Sequence, residues 1–124
     1  MAASADPLVI FVIDDSPAVL GSLKFALEIE GFAVRASTDG ADLLEDGAVP
    51  EWGCLLVDYN LSSGNGLDLI ADLRKRGVAW PAILMTTAPS PMLRQRAAAA
   101  DVQIVEKPLL GNALVDTIKL AFGG

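Results

Sequence analysis

Residues 8–15 read LVIFVIDD, six apolar residues in succession followed by two aspartates. The apolar run is rich in β-branched residues, and both its odd and its even positions are apolar. A strand has this pattern when helices cover both faces of its sheet, as they do in parallel α/β folds. The stretch therefore predicts a central parallel strand that ends abruptly at Asp14 and Asp15.

The segment after this strand reads as a helix. Ser16 and Pro17 suit the N-cap and the first helical position, and Gly31 is a typical residue just past a helix end. Between them, apolar residues recur at helical spacing. These residues are Val19, Leu20, Leu23 and Leu27.

The same strand-then-helix alternation recurs along the chain and predicts an α/β fold of five such units. Further strands are expected at about residues 32–36, 54–57, 81–85 and 102–106. The second helix is expected to be short, capped by Thr38 and carrying Leu43 and Leu44. The fourth is alanine-rich and opens at Pro89-Ser90-Pro91, and the last starts at about Gly111 and carries Leu114, Ile118 and Phe122 on one face.

Length and composition indicate one cytoplasmic domain. The chain has 124 residues, 52% of them hydrophobic, yet no apolar run approaches the roughly 20 residues of a membrane span. The first residues lack the pattern of a secretory signal, and the single cysteine, Cys54, suits a reducing compartment. Nine basic and sixteen acidic residues give a net charge of −7, which disfavours direct binding to nucleic acid.

Polar residues stand where the predicted strands end: Asp14 and Asp15, then Asp58, Thr86 and Lys107. The carboxyl ends of parallel strands share one edge, and a strand order of 2-1-3-4-5 puts strands one and three side by side there. Carboxylates gathered in this way repel one another, so such a cluster usually holds a cation. Mg²⁺ is the best candidate, because the chain has no histidine and one cysteine and so disfavours zinc. The ammonium and the hydroxyl suit phosphoryl oxygens, so the edge is expected to perform phosphoryl chemistry.

Taken in order, five segments resemble the motifs of response-regulator receiver domains, the CheY-like superfamily of two-component signalling. Each segment is a weak signal by itself, but all five in order on the right elements are specific. The resemblance implies a flavodoxin-like (βα)5 three-layer sandwich with sheet order 2-1-3-4-5, in which residues 8–124 form the receiver domain and residues 1–7 a disordered tail. The segments are VIDD at 12–15, LLVD at 55–58, the loop 58–66, ILMT at 83–86 and EKP at 106–108.

This resemblance implies that Asp58 is a nucleophile that takes a phosphoryl group from a phosphohistidine on a sensor histidine kinase or a phosphotransfer protein. Lys107 and Thr86 would hold the transferred group, with Thr86 preferred to Thr87 because of its spacing from Pro81. The chain would then be a phosphoacceptor that catalyses only its own phosphotransfer and dephosphorylation. No membrane association is expected, a homodimer is possible, and the sequence does not show the downstream partner.

The resemblance also implies a set of ligands for Mg²⁺. Asp15 would bind the ion directly, Asp14 would help through water, and Asp58 and the backbone carbonyl of Asn60 would complete the protein ligands.

Three residues depart from the family pattern. Ile104 stands where receivers usually carry Phe or Tyr, Thr87 stands where they mostly have Ala or Gly, and Ser62 replaces a common Pro. The usual Gly before the fifth strand is also missing. These departures lead to the hypothesis that phosphorylation is signalled through altered packing of the alanine-rich helix and its loop.

Other interpretations stay open. A degenerate receiver could act as an interaction module that does not depend on phosphorylation, which Ile104 and Thr87 favour and the intact acids and Lys107 disfavour. A flavodoxin-like cofactor protein or a small phosphohydrolase would share the fold, but two aspartates stand where a flavin phosphate loop is needed. Asp14 and Asp15 alone could be capping charges at a helix start, and Thr86 alone an ordinary strand residue.

Overall fold

The computed structural model describes residues 9–40, 53–62, 64–107 and 113–121. Eleven elements lie within these ranges. The strands are β1 (Val9–Ile13), β2 (Ala33–Ser37), β3 (Gly53–Asp58), β4 (Asn60–Leu61), β5 (Gly64–Asn65), β6 (Ala82–Thr86) and β7 (Val102–Glu106). The helices are α1 (Pro17–Ile29), α2 (Gly66–Lys75), α3 (Pro91–Ala99) and α4 (Ala113–Ala121).

Five strands form one parallel sheet in the order β2-β1-β3-β6-β7. This is the expected order 2-1-3-4-5 when the five long strands are counted along the chain, so the predicted α/β fold is confirmed. Strand β1 lies between β2 and β3 and is buried from Ile10 to Ile13, in agreement with its apolar sequence.

The side chains of β1 alternate between two hydrophobic clusters, which makes the fold a three-layer sandwich. Phe11 and Ile13 belong to a cluster that contains residues of α2 and α3. Ile10 and Val12 belong to the opposite cluster, which contains residues of α1 and α4. Helices therefore cover both faces of the sheet, as the apolar pattern of residues 8–13 requires.

Helix α1 begins where the sequence predicted. The Ser16 side chain accepts a hydrogen bond from the Val19 amide at 3.3 Å, and Pro17 occupies the first turn. Leu20, Leu23 and Leu27 are buried, which confirms the apolar face.

The predicted bounds of the fifth strand, 102–106, are confirmed by β7. Those of the second, third and fourth strands were off by about one residue, because a hydrophobic pattern does not show where backbone pairing stops. The second strand runs from Ala33 to Ser37, the third from Gly53 to Asp58 and the fourth from Ala82 to Thr86. The loop after Asp58 was expected to be irregular but forms a small antiparallel hairpin of β4 and β5.

Several sequence predictions lie outside the described residues. These are the tail at residues 1–7, the short helix with Leu43 and Leu44, and the positions of Pro108, Gly111 and Phe122. Within helix α4, Leu114 and Ile118 are buried, as expected.

Two residues with left-handed backbone bracket helix α3: Ala88 before it, with φ of 47°, and Asp101 after it, with φ of 58°. Asp101 stands directly before the fifth strand, where receivers usually carry a glycine and this chain has none. The Arg74 guanidinium of α2 donates to the backbone carbonyls of Ala100 and Asp101, and so satisfies acceptors at the end of α3.

No helix in the described part of the chain combines the length and apolar character needed to cross a membrane.

Candidate functional site

The register of the sheet brings the predicted site residues to one edge. Ile13 pairs with Val57, so Asp14 and Asp58 stand one step further along their neighbouring strands. Met85 pairs with Asp58, and Thr86 pairs with Glu106 on β7. Thr86 and Lys107 therefore follow at the same edge, and the backbone amide of Lys107 donates to the carbonyl of Thr86 at 2.8 Å.

Lys107 joins the two buried acids of this edge. Its Nζ donates to Oδ1 of Asp58 at 2.8 Å and lies 3.7 Å from Oδ2 of Asp14. Asp14 is 3% exposed and Asp58 7%, whereas 29% of the Lys107 side chain is exposed. One ammonium thus faces two carboxylates that have little contact with water, and the trio carries a net charge of −1 when all three groups are ionised.

Asp14 has a free acceptor atom in this edge. Its Oδ1 accepts a hydrogen bond from the Ser16 amide at 2.9 Å, but its buried Oδ2 has no hydrogen-bond partner. A buried oxygen in this state costs stability unless another group compensates it. A hard cation would compensate both the unpaired oxygen and the excess negative charge, so these residues fit Mg²⁺.

Asp15, the second acid of the pair, is exposed, and its Oδ2 accepts a hydrogen bond from Oγ of Ser62 at 2.8 Å. The two aspartates are thus held by different elements: Asp14 by the start of α1, and Asp15 by the loop after β3.

The three acids do not form a closed cage. Across residues 9–40, 53–62, 64–107 and 113–121, no group of three or more His, Cys, Asp or Glu side chains is arranged to hold a metal ion. Asp14 and Asp58 meet at Lys107, while Asp15 is bonded to Ser62. Mg²⁺ commonly takes only one or two carboxylates and keeps several waters, so this arrangement remains compatible with the ion.

The two threonines at the end of β6 differ in burial. Thr86 is 4% exposed and stands one residue beyond Met85, which pairs with Asp58. Thr87 is exposed. Thr86 is thus the buried threonine at this edge, and its choice over Thr87 as the phosphate contact stays a prediction.

The backbone around Asp58 is fixed by tight contacts. The Tyr59 amide donates to the Met85 carbonyl at 2.8 Å, and the Gly66 amide donates to the Tyr59 carbonyl at 2.7 Å. A Cβ atom on Gly66 would lie 2.3 Å from the backbone oxygen of Asp58, so only glycine fits there without a backbone shift. The loop is therefore held close beneath the acid.

Cys54 lies inside the core at the other end of β3. It is fully buried, and this burial raises the pKa of its thiol to about 12. The thiol is consequently protonated at neutral pH and packs as a small hydrophobic residue. Trp80 is 5% exposed and packs in the core.

Sequence reasoning missed the contact between Ser62 and Asp15. In the sequence, Ser62 stands out only because it replaces a common proline. Ser62 and Asp15 are 47 positions apart. No local pattern signals a contact of that kind, because it depends on how the hairpin folds back over the sheet edge.

Comparisons with known proteins agree with this geometry. Residues 10–119 match the response regulator receiver domain family. The transcriptional regulatory protein FixJ of Azorhizobium caulinodans is 33% identical in an alignment of 121 positions that covers 95% of this chain and 56% of FixJ. The C4-dicarboxylate transport transcriptional regulatory protein DctR of Rhodobacter capsulatus is 33% identical in an alignment of 110 positions that covers 86% of this chain and 56% of DctR.

Solved structures show the same fold. A CheY-like response regulator receiver domain protein from Methanospirillum hungatei JF-1 superposes with a TM-score of 0.82 at 26% identity, covering 95% of each chain. The chain spans a little over half the length of the two curated relatives. With a family match across 110 of its 124 residues and the acids and lysine in place at one sheet edge, this chain belongs to the response regulator receiver domain family.

Proposed function

We propose that this receiver domain accepts a phosphoryl group on Asp58, in a reaction that depends on Mg²⁺, and changes conformation as a result. The observation that carries the proposal is the 2.8 Å contact between Lys107 Nζ and Asp58 Oδ1, with Oδ2 of Asp14, which has no hydrogen bond, 3.7 Å from the same ammonium. A nucleophile, a fixed positive charge and a free anionic ligand thus lie together.

Asp58 suits the role of nucleophile because its carboxylate needs no base to remove a proton. A carboxylate oxygen forms a bond to phosphorus while the bond from phosphorus to the imidazole nitrogen of a phosphohistidine breaks. The imidazole nitrogen leaves with the electron pair of the broken bond and takes up a proton from water, which restores neutral histidine. The product is an acyl phosphate on Asp58.

Lys107 stabilises the group in transfer. Phosphoryl transfer requires mainly positioning and charge stabilisation, and an ammonium already at the nucleophile supplies both. The hydroxyl of Thr86 is proposed as a further donor to the phosphoryl oxygens. Once Asp58 is phosphorylated, the negative charge resides on the phosphoryl group, so we expect the Lys107 ammonium to move toward the phosphoryl oxygens.

Mg²⁺ is proposed to bind at Asp14, Asp15, Asp58 and the backbone carbonyl of Asn60. When bound, the ion would neutralise charge on the phosphoryl oxygens and orient them. Asp14 offers its free Oδ2 and Asp15 its oxygen not used by Ser62.

The direct test is phosphorylation by acetyl phosphate, followed by intact-mass measurement. With Mg²⁺ the wild type is expected to gain the mass of one phosphoryl group, and it should gain nothing when EDTA is present. The Asp58→Asn variant should show no gain under either condition. Labelling of the variant, or unlabelled wild type in the presence of Mg²⁺, would refute the proposal.

The phosphoryl donor in the cell is proposed to be a sensor histidine kinase or a phosphotransfer protein in the cytoplasm. Since FixJ and DctR are named transcriptional regulators and this chain matches a little over half of each, we propose that the domain transmits its state to a partner protein or a further domain. With a net charge of −7, the domain itself is not expected to bind nucleic acid, and a homodimer remains a possible output form.

A second candidate function is that of an interaction module that does not need phosphorylation. Ile104 favours this second function. It is half-buried and packs against the cluster beneath α2 and α3, but it lacks the aromatic ring that receivers usually carry at this position. The mass measurement separates the two, because such a module would remain unlabelled.

A further inference from the structure

Ser62 makes a contact that phosphoryl transfer to Asp58 does not explain. Its hydroxyl donates to Oδ2 of Asp15 at 2.8 Å and so joins the loop after β3 to the end of β1. The neighbouring acid, Asp14, is buried and does not depend on Ser62, because the Ser16 amide donates a hydrogen bond to it.

The loop presents Ser62 from a fixed platform. Asn60 pairs with Asn65, and Leu61 pairs with Gly64, so Ser62 lies in the turn of the hairpin. Leu61 packs against the core, and the Gly66 amide is bonded to the Tyr59 carbonyl at 2.7 Å. A donor held in this way can restrict the side chain that it contacts.

Asp15 needs this restriction if it is to act as a ligand. Its side chain is exposed, and an exposed carboxylate samples several rotamers that a metal ion must select among. Hydrogen bonds to a ligand fix its orientation, and loss of such partners weakens metal binding. Ser62 bonds one oxygen, Oδ2, which leaves the other for a cation.

We propose that Ser62 is a positioning residue that orients the carboxylate of Asp15 for Mg²⁺. The inference rests on the proposed function, since it assumes the Mg²⁺ site at this edge. It assigns to this chain a role for a hydroxyl at a position where receivers commonly carry proline, which has no donor.

The test is a Mg²⁺ titration of three proteins: the wild type, Ser62→Ala and Ser62→Thr. The backbone amide NMR shifts of residues 13–16 and 58–62 report Mg²⁺ binding. Ser62→Ala is expected to weaken Mg²⁺ binding by about tenfold, the lower end of the effect that partners of metal ligands have. Ser62→Thr keeps the hydroxyl and should restore affinity to within about twofold of the wild type. Ser22→Ala, which removes an exposed hydroxyl on α1, is the matched control and should bind as the wild type does.

The outcomes separate positioning from a general structural role. Without Mg²⁺, Ser62→Ala should unfold at the same urea concentration as the wild type, because the bond is exposed. Two outcomes overturn the inference alone, provided that the wild type binds Mg²⁺ and is phosphorylated. One is that Ser62→Ala binds Mg²⁺ as tightly as the wild type or more tightly, and the other is that Ser62→Thr does not restore the affinity. If the wild type neither binds Mg²⁺ nor accepts phosphate, the proposed function fails and the inference falls with it.

Discussion

At the scale of single residues, the site combines two buried acids with one lysine. Asp14 and Asp58 are both within 4 Å of the Lys107 ammonium, and Asp14 keeps one oxygen without a hydrogen bond. Such an arrangement is retained at a cost in stability, as functional sites often are.

Asp14→Asn should therefore stabilise the protein in the absence of Mg²⁺. The amide can still accept from the Ser16 backbone N–H, while the substitution removes one of two neighbouring negative charges. We expect the free energy of unfolding in EDTA to rise by about 1 kcal/mol, because two carboxylates held close together in a partly buried site repel each other. Urea unfolding monitored by circular dichroism measures this change.

Mg²⁺ supplies the control for this variant. Addition of the ion should raise the unfolding midpoint of the wild type and leave that of Asp14→Asn unchanged, since binding only to the folded state stabilises it. A loss of stability in EDTA, or an equal response of both proteins to Mg²⁺, would contradict the account.

Cys54 predicts a dependence of stability on alkaline pH. Its thiol titrates near pH 9 when unfolded and at about 12 when folded, so the folded state retains a proton that the unfolded state loses. Above pH 9 this difference favours unfolding, so the contribution is complete below pH 9 and is lost as the pH rises toward 12.

The matched variant is Cys54→Ala, which removes the titrating group. Between pH 8 and pH 10, the wild type should lose about 1 kcal/mol more unfolding free energy than Cys54→Ala. Urea unfolding at the two pH values gives the comparison. Equal losses in the two proteins would show that the thiol of Cys54 is not shielded from ionisation.

At the scale of elements, the contact between the loop and the end of β3 depends on Gly66. A methyl group there would lie 2.3 Å from the carbonyl oxygen of Asp58, so Gly66→Ala must displace backbone. We expect it to lower the unfolding free energy by about 2 kcal/mol and to slow phosphorylation of Asp58. Intact-mass time courses and urea unfolding measure the two effects.

Gly21→Ala is the matched substitution for Gly66→Ala. Gly21 lies within α1, where an added Cβ would meet no atom within 4 Å. Alanine in an exposed helical position should raise the unfolding free energy by about 0.5–1 kcal/mol. If both variants shifted stability in the same direction, the tight contact at Asp58 would not be the cause.

The end of helix α3 gives a second test at this scale. Asp101 has a φ of 58°, a conformation that aspartate and glycine tolerate and β-branched residues avoid. Asp101→Val is expected to lower the unfolding free energy by about 1–2 kcal/mol, whereas Asp101→Gly should change it by less than about 1 kcal/mol. Urea unfolding of the two variants measures the difference, and equal stability would contradict the left-handed conformation.

Sequence patterns predicted the long elements well, for a physical reason. Strands such as β1 bury both faces and helices such as α1 bury one. The spacing of apolar residues within each segment therefore indicates the type of element. The hairpin of β4 and β5 escaped prediction because each of its strands has two residues and buries little. Asp101 escaped because a left-handed aspartate has no distinct signature beside a run of alanines.

The sequence predicted which side chains meet at this sheet edge, but not how they contact one another. Strand ends placed Asp14, Asp58 and Lys107 at one edge, because the carboxyl ends of parallel strands share that edge. The sequence did not show that Asp15 is bonded to Ser62 while Asp14 keeps a free oxygen, since these bonds depend on loop geometry.

At the scale of the whole molecule, we propose that helix α3 passes on the phosphorylation state of Asp58. Left-handed residues stand before and after it, and Arg94 on α3 bonds Glu106, the neighbour of Lys107, at 2.8 Å. Ile104, which packs beneath α3, lacks the aromatic ring that receivers usually carry, so the rotation of a ring cannot transmit the change at this position. A change at Lys107 is therefore expected to reach α3 through β7 and its ion pair.

Beryllofluoride, which imitates an acyl phosphate, tests this route in the intact domain. With Mg²⁺ present, it should shift the amide NMR signals across residues 86–110 and leave those at the far end of α1, residues 24–30, nearly unchanged. Unchanged signals across residues 86–110 in a protein that binds beryllofluoride would refute this signalling route.

A crystal structure of the domain with Mg²⁺ and beryllofluoride tests the proposed phosphorylation of Asp58 most directly. We expect beryllofluoride on the carboxylate of Asp58, the Lys107 ammonium bonded to a fluorine, and Mg²⁺ bound beside Asp14 and Asp15. Beryllofluoride on another carboxylate, or a Mg²⁺ ion that leaves both aspartates untouched, would contradict it.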